Sequence, residues 1–99
     1  MINKKISPKG RSVRVTFELP SEAASETVAV AGDFNEWSTD NDTMTLDEKR
    51  GVWKTAISFK PGVRHEFRYL LDGRIWRNDD DADGFAPNPY SGDNSVLAL

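Results

Sequence analysis

Arg64-His65-Glu66-Phe67-Arg68-Tyr69-Leu70-Leu71, followed by Asp72-Gly73-Arg74 and Ile75-Trp76-Arg77, decides the fold. The first eight residues alternate with period two, placing Phe67, Tyr69 and Leu71 on one face. Arg64, Glu66, Arg68 and Leu70 fall on the other. That is a half-buried strand, and the Asp-Gly pair behind it marks a hairpin into a short returning strand. The register of that hairpin stays open on turn chemistry alone. A two-residue turn pairs Tyr69 with Trp76 and buries the indole. A three-residue loop over Asp72–Arg74 pairs Leu71 with Ile75 inside and Leu70 with Trp76 outside. One residue of slip flips every side chain. We favour the second register because it buries the aliphatic and exposes the indole beside Arg68.

Working outward, the same period recurs along the chain. Arg11–Leu19 puts Val13, Val15, Phe17 and Leu19 on one face, and Pro20 ends it. Ser21–Glu26 has room for one helical turn at most. Thr27–Gly32 points Val28 and Val30 inward, Thr43–Leu46 points Met44 and Leu46 inward, and Val52–Phe59 points Trp53, Ile57 and Phe59 inward. Pro61-Gly62 is a turn, and Asn94–Leu99 closes the chain. About seven short strands punctuated by turn residues predict an all-β fold, an antiparallel sandwich. The predicted organisation is an N-terminal extension over residues 1–10 and one β-sandwich domain over residues 11–99.

Ninety-nine residues suffice for one self-sufficient domain. Thirteen Lys and Arg stand against sixteen Asp and Glu, a net charge of −3. A domain that takes its affinity from phosphates is normally basic, so nucleic acid is not expected as a partner. No stretch is apolar enough to span a membrane, and Met1–Gly10 lacks the apolar run of a secretory signal. With no cysteine in the chain, the expected location is cytoplasmic.

Two tryptophans stand off the core pattern. Trp37, in Gly32-Asp33-Phe34-Asn35-Glu36-Trp37-Ser38, is either a lid on the core or an exposed platform. Pattern alone favours the lid, because Trp is usually largely buried. Trp76 is outward in the favoured register, next to Leu70. An exposed indole suits a neutral sugar, since one face of a pyranose ring is a patch of C–H groups and its edge is hydroxyls. Two indoles set at an angle, with Arg68 and Asn94 nearby, match a curved chain such as an α-1,4-glucan better than a flat one. Trp53, by contrast, shares its face with Ile57 and Phe59 and reads as core.

Other chemistry is weakly signalled. Asp79-Asp80-Asp81-Ala82-Asp83-Gly84 matches the first half of a calcium loop, but Tyr90 stands where the bidentate acid belongs, and Pro87 and Pro89 exclude a following helix. A solvated acidic turn is the default, so no metal and no cofactor are expected. His65 reads as structural. No G-x-S-x-G elbow and no phosphate loop occurs, and no catalytic residue is assigned.

Val30-Ala31-Gly32-Asp33-Phe34-Asn35-Glu36-Trp37, Gly51-Val52-Trp53, Pro61-Gly62, Phe67–Gly73, Trp76 and Asp93-Asn94-Ser95-Val96-Leu97 together resemble the carbohydrate-binding modules of family 48. That family includes the N-terminal domains of isoamylases and glycogen-branching enzymes, and the glycogen-binding domain of the AMP-activated protein kinase β subunit. The resemblance runs from about Val13 to Leu99. It implies an immunoglobulin-like early-set sandwich of about seven strands that binds α-glucan polysaccharide or oligosaccharide without catalysis. It implies stacking by Trp37 and Trp76, and hydrogen bonding by Arg68, at a lysine position of the kinase domain, and by Asn94. Tyr90 corresponds to an apolar loop residue that reaches into the curve of the glucan, and Leu70 flanks the face. A glycogen-metabolising enzyme or a kinase is the protein partner to expect. The alternative is a protein-interaction or structural early-set domain without sugar binding, in which exposed Trp and Arg dock a partner protein.

Overall fold

The computed structural model describes residues 1–89 and 92–99. Two antiparallel sheets stack as a sandwich. The first has β1 (Ile2–Ile6), β2 (Val13–Pro20), β5 (Val52–Phe59) and β4 (Thr45–Asp47), in the order β1-β2-β5-β4. The second has β3 (Val28–Gly32), β6 (Arg64–Leu71), β9 (Asp93–Ala98) and β8 (Gly84–Pro87), in the order β3-β6-β9-β8. Here β7 (Ile75–Arg77) also pairs with β6. β6 is the hub of the second sheet. β3 lies along one side of it, while β9 takes Arg64–Phe67 and β7 takes Tyr69–Leu71 on the other.

The inward residues of both sheets interdigitate. Val13, Val15, Phe17 and Leu19 of β2 and Trp53 and Phe59 of β5 meet Val28, Val30, Phe67, Tyr69, Leu71 and Leu97 from the other side. Phe17 packs edge-on against Phe67 and Tyr69, with centroids at 5.2 and 6.4 Å. Trp53 is 6% exposed, and its Nε1 donates to the Ser21 carbonyl at 3.2 Å. A buried polar pair closes one side of the core, where Tyr69 Oη donates to Asp79 Oδ2 at 2.5 Å. Burial first, and the adjacent carboxylate second, push the Tyr69 phenol well above its usual pKa, so it stays a donor.

The register of the β6–β7 hairpin is the three-residue one, with Leu70 opposite Trp76 and Leu71 opposite Ile75. Ile75 was expected inside and is not: it is 56% exposed. It shares the face of Leu71, but β7 is a three-residue strand at the rim and the core ends before reaching it. Leu46 is a second correction. Expected inward, it is exposed, because β4 is the terminal strand of its sheet and Leu46 overhangs its edge. Met44, just before β4, is the residue that plugs the core. Its N–H donates to the Val28 carbonyl as the chain crosses from the second sheet to the first.

Among the described residues nine strands form, where about seven were expected. β1 arises within the charged segment Ile2-Asn3-Lys4-Lys5-Ile6, and β8 within Gly84-Phe85-Ala86-Pro87. Both are edge strands, and lysine or proline at an edge protects the open side while erasing the alternation that marks a strand.

Candidate functional site

Antiparallel partners share a face, so the outer surface of the second sheet follows from its register. β6 contributes Arg64, Glu66, Arg68 and Leu70. β7 adds Trp76 beside Leu70, and β3 adds the small residues Ala29 and Ala31 opposite Leu70 and Arg68. Trp76 is 42% exposed. The Arg68 guanidinium carbon lies 5.5 Å from its ring centroid, within cation–π range. Arg68 Nε is buried and has no hydrogen-bond partner among the described residues. Among the described residues, stacking on Trp76 is the contact that holds the side chain.

The hairpin that carries Trp76 is bolted down at its tip. Asp72 has a left-handed φ of 53° and Gly73 one of 68°, and Arg74 N–H closes the loop on the Leu71 carbonyl at 3.0 Å. The Asp72 carboxylate accepts from three successive N–H groups, those of Ser25, Glu26 and Thr27, at 3.0, 2.6 and 3.0 Å. These bonds lower its pKa from the ordinary aspartate value. They also fix the hairpin to the chain leading into β3.

Trp37 is presented by a different device. The chain leaves β3 through a single 3₁₀ turn, Asp33–Asn35. Asn35 takes the Gly32 N–H on its Oδ1 at 3.0 Å. Its Nδ2 donates to the Val30 carbonyl at 2.9 Å and to Asp42 at 2.8 Å. Asp33 grips β6 through His65 Nδ1 at 2.8 Å and the Glu66 N–H at 3.0 Å. Glu36 and Trp37 then adopt φ values of 57° and 58°. A left-handed backbone costs an ordinary residue roughly 1–2 kcal/mol and persists only where the surroundings over-determine it. The Trp37 N–H bonded to the Gly32 carbonyl at 2.8 Å is part of that restraint. The outcome is an indole 38% exposed, which makes it a partly open platform and not the closed lid that pattern favoured.

Asn94 lies on β9 on the same outer face and is 8% exposed. Its Nδ2 donates to Glu66 Oε1 at 3.2 Å, and its Oδ1 accepts from Asn88 Nδ2 at 3.3 Å. Tyr90 lies outside the described residues. Strand pairing thus brings Arg68, Leu70 and Trp76 into one cluster, and Glu66 joins Asn94 to it along β6. Trp37 arrives from the loop after β3, beyond Gly32, which pairs with Phe67.

Two features escaped the sequence reading. Parity places Glu66 outward, but its contact with Asn94 is visible only in the structure. A shallow cleft of about 240 Å³, lined by Thr27, Ala29, Thr39, Asp40, Thr43 and Leu70, adjoins the Leu70–Trp76 pair. Its residues come from three separate segments, so no local motif announces it. The surface as a whole offers flat apolar faces, hydroxyls and planar donors, which suits a polyhydroxylated ligand. The acidic turn has a structural use, since Asp79 is buried against Tyr69.

The family model described as the glycogen recognition site of AMP-activated protein kinase matches residues 12–94. No curated protein matches the chain.

Proposed function

Because this chain belongs to the family of the AMP-activated protein kinase glycogen recognition site, we propose that it is a non-catalytic module binding α-1,4-glucan. Its ligands are glycogen, starch and maltooligosaccharides. Trp37 and Trp76 stack on sugar rings, Arg68 and Asn94 serve the hydroxyls, and Leu70 and Tyr90 flank the chain. The observation that carries this reading is the Leu70–Trp76 pair under Arg68, an exposed aromatic on a sheet whose opposite face is already packed. A shallow face with a few contacts supports micromolar to millimolar affinity, about −4 to −8 kcal/mol. The protein would place a glycogen-metabolising enzyme or a kinase on the polymer.

Calorimetric titration with maltoheptaose and with a cello-oligosaccharide of equal length tests the reading. Binding of the first alone supports it, and equal affinity for both removes the argument from a curved platform. A second reading, a protein-docking early-set domain, is favoured by two exposed apolar residues outside that face, Ile75 on the other side of β7 from Trp76 and Phe85 on β8. Silence at millimolar maltoheptaose would favour that alternative.

A further inference from the structure

On the outer face of the second sheet, Glu66 receives two donors at once. Arg64 Nη1 reaches its Oε2 at 3.0 Å, and Asn94 Nδ2 reaches its Oε1 at 3.2 Å. Asn94 in turn accepts from Asn88 Nδ2 on its Oδ1 at 3.3 Å. An ionised carboxylate is acceptor-only on both oxygens, so it satisfies Arg64 and Asn94 together. The asparagine amide is the opposite kind of group, with one end a donor and the other an acceptor, and it is free to turn about its last bond. With its Oδ1 taken by Asn88, only one orientation serves both neighbours, and the carboxylate selects it.

We propose that Glu66 is a positioning residue of the glucan face, fixing which end of the Asn94 amide meets the sugar. The inference rests on the glucan reading above. Arg64 is the second donor on the carboxylate, at the oxygen Asn94 does not use, and Glu66 acts on the ligand only through Asn94. An amide at position 66 has the same shape but one acceptor and one donor, so Arg64 and Asn94 compete for its single oxygen. When Arg64 takes that oxygen, the NH₂ group faces Asn94, and Asn94 must turn and lose Asn88.

Glu66→Gln is therefore expected to weaken maltoheptaose binding about fivefold, the factor of one ordinary hydrogen bond. Removing the competitor should reverse the loss. Arg64→Gln combined with Glu66→Gln returns to within about twofold of the parent, while Arg64→Gln alone stays near it. A role limited to packing would give no such rescue. In sugar-free protein, the side-chain amide NMR signals of Asn94 should shift in Glu66→Gln and return in the double variant. Unchanged amide signals, parental affinity in Glu66→Gln, or a double variant no better than the single one would overturn the inference. Failure of the parent protein to bind maltoheptaose instead overturns the glucan reading, and the amide signals then decide on Glu66 by themselves.

Discussion

Gly32→Ala is the most exacting substitution available in this fold. Gly32 has φ of −161°, an extended conformation open to any residue, so backbone strain is not the issue. Space is the issue. A β-carbon built there would stand 2.6 Å from the Glu66 carbonyl oxygen and 2.4 Å from Phe34 Cε2. The ring has little freedom to retreat, because it packs edge-on against Phe59 at 5.1 Å and His65 at 5.7 Å. The carbonyl belongs to the central strand of the sheet. β3 must therefore lift from β6 by several tenths of an ångström. Overpacking of this kind costs about 1–3 kcal/mol, and a collision with backbone argues for the upper end. At roughly 4–8 °C per kcal/mol for a domain of this size, the midpoint should fall by about 10–20 °C. The same movement disturbs both anchors of the tryptophan loop, the Gly32 N–H on Asn35 and the Gly32 carbonyl under the Trp37 N–H. Maltoheptaose affinity should fall as well. Gly62→Ala is the control, with φ of +79° and nothing within 4 Å of the new carbon, and its cost is the left-handed backbone alone, about 1–2 kcal/mol. Urea melts of both variants decide. If Gly32→Ala lies within about 0.5 kcal/mol of the parent, or is milder than Gly62→Ala, the close-approach argument is refuted.

The three tryptophans should separate by role: Trp53→Ala is expected to lose about 3–5 kcal/mol of stability through a core cavity. Trp37→Ala and Trp76→Ala should stay folded and lose about 1–3 kcal/mol of glucan affinity, on the scale of aromatic stacking on bases; unfolding of Trp76→Ala would return that residue to the core. Asp72 should make stability pH-dependent, because its folded pKa is depressed by three N–H bonds. Its contribution is complete above the ordinary aspartate value of 3.8 and is lost as pH falls through the lower folded value. Asp72→Asn should be less stable than the parent at neutral pH and converge with it in acid, and parallel urea midpoints from pH 7 downward would contradict this. Incubation with maltoheptaose followed by product analysis should show no turnover, and activity that survives repurification would refute a non-catalytic module.

Period-two alternation determined much of this protein without any structure. Where one face of a strand is buried and the other wet, the pattern is imposed by burial and can be read directly. β2, β5 and β6 were legible for that reason, as were Trp53 in the core and Trp76 outward beside Leu70. Edge strands escape this logic. β1 and β8 have one bonded side and incomplete burial, so Lys4, Lys5 and Pro87 obey the needs of the edge and not the period of the strand. Parity also says which way a side chain points but not how far the opposite sheet extends, which is why Ile75 and Leu46 face inward and remain exposed. The site divides along the same line. Asp72-Gly73 located the hairpin, because a hairpin is local, and the choice of the aliphatic over the indole for burial gave the register that turns Trp76 outward. The presentation of Trp37 depends on Asn35, Asp42 and β6 together. The Glu66 contact with Asn94 spans two strands far apart in the chain. Only tertiary structure decides such contacts, because the free energy that holds each side chain comes from residues its own neighbours in sequence do not supply.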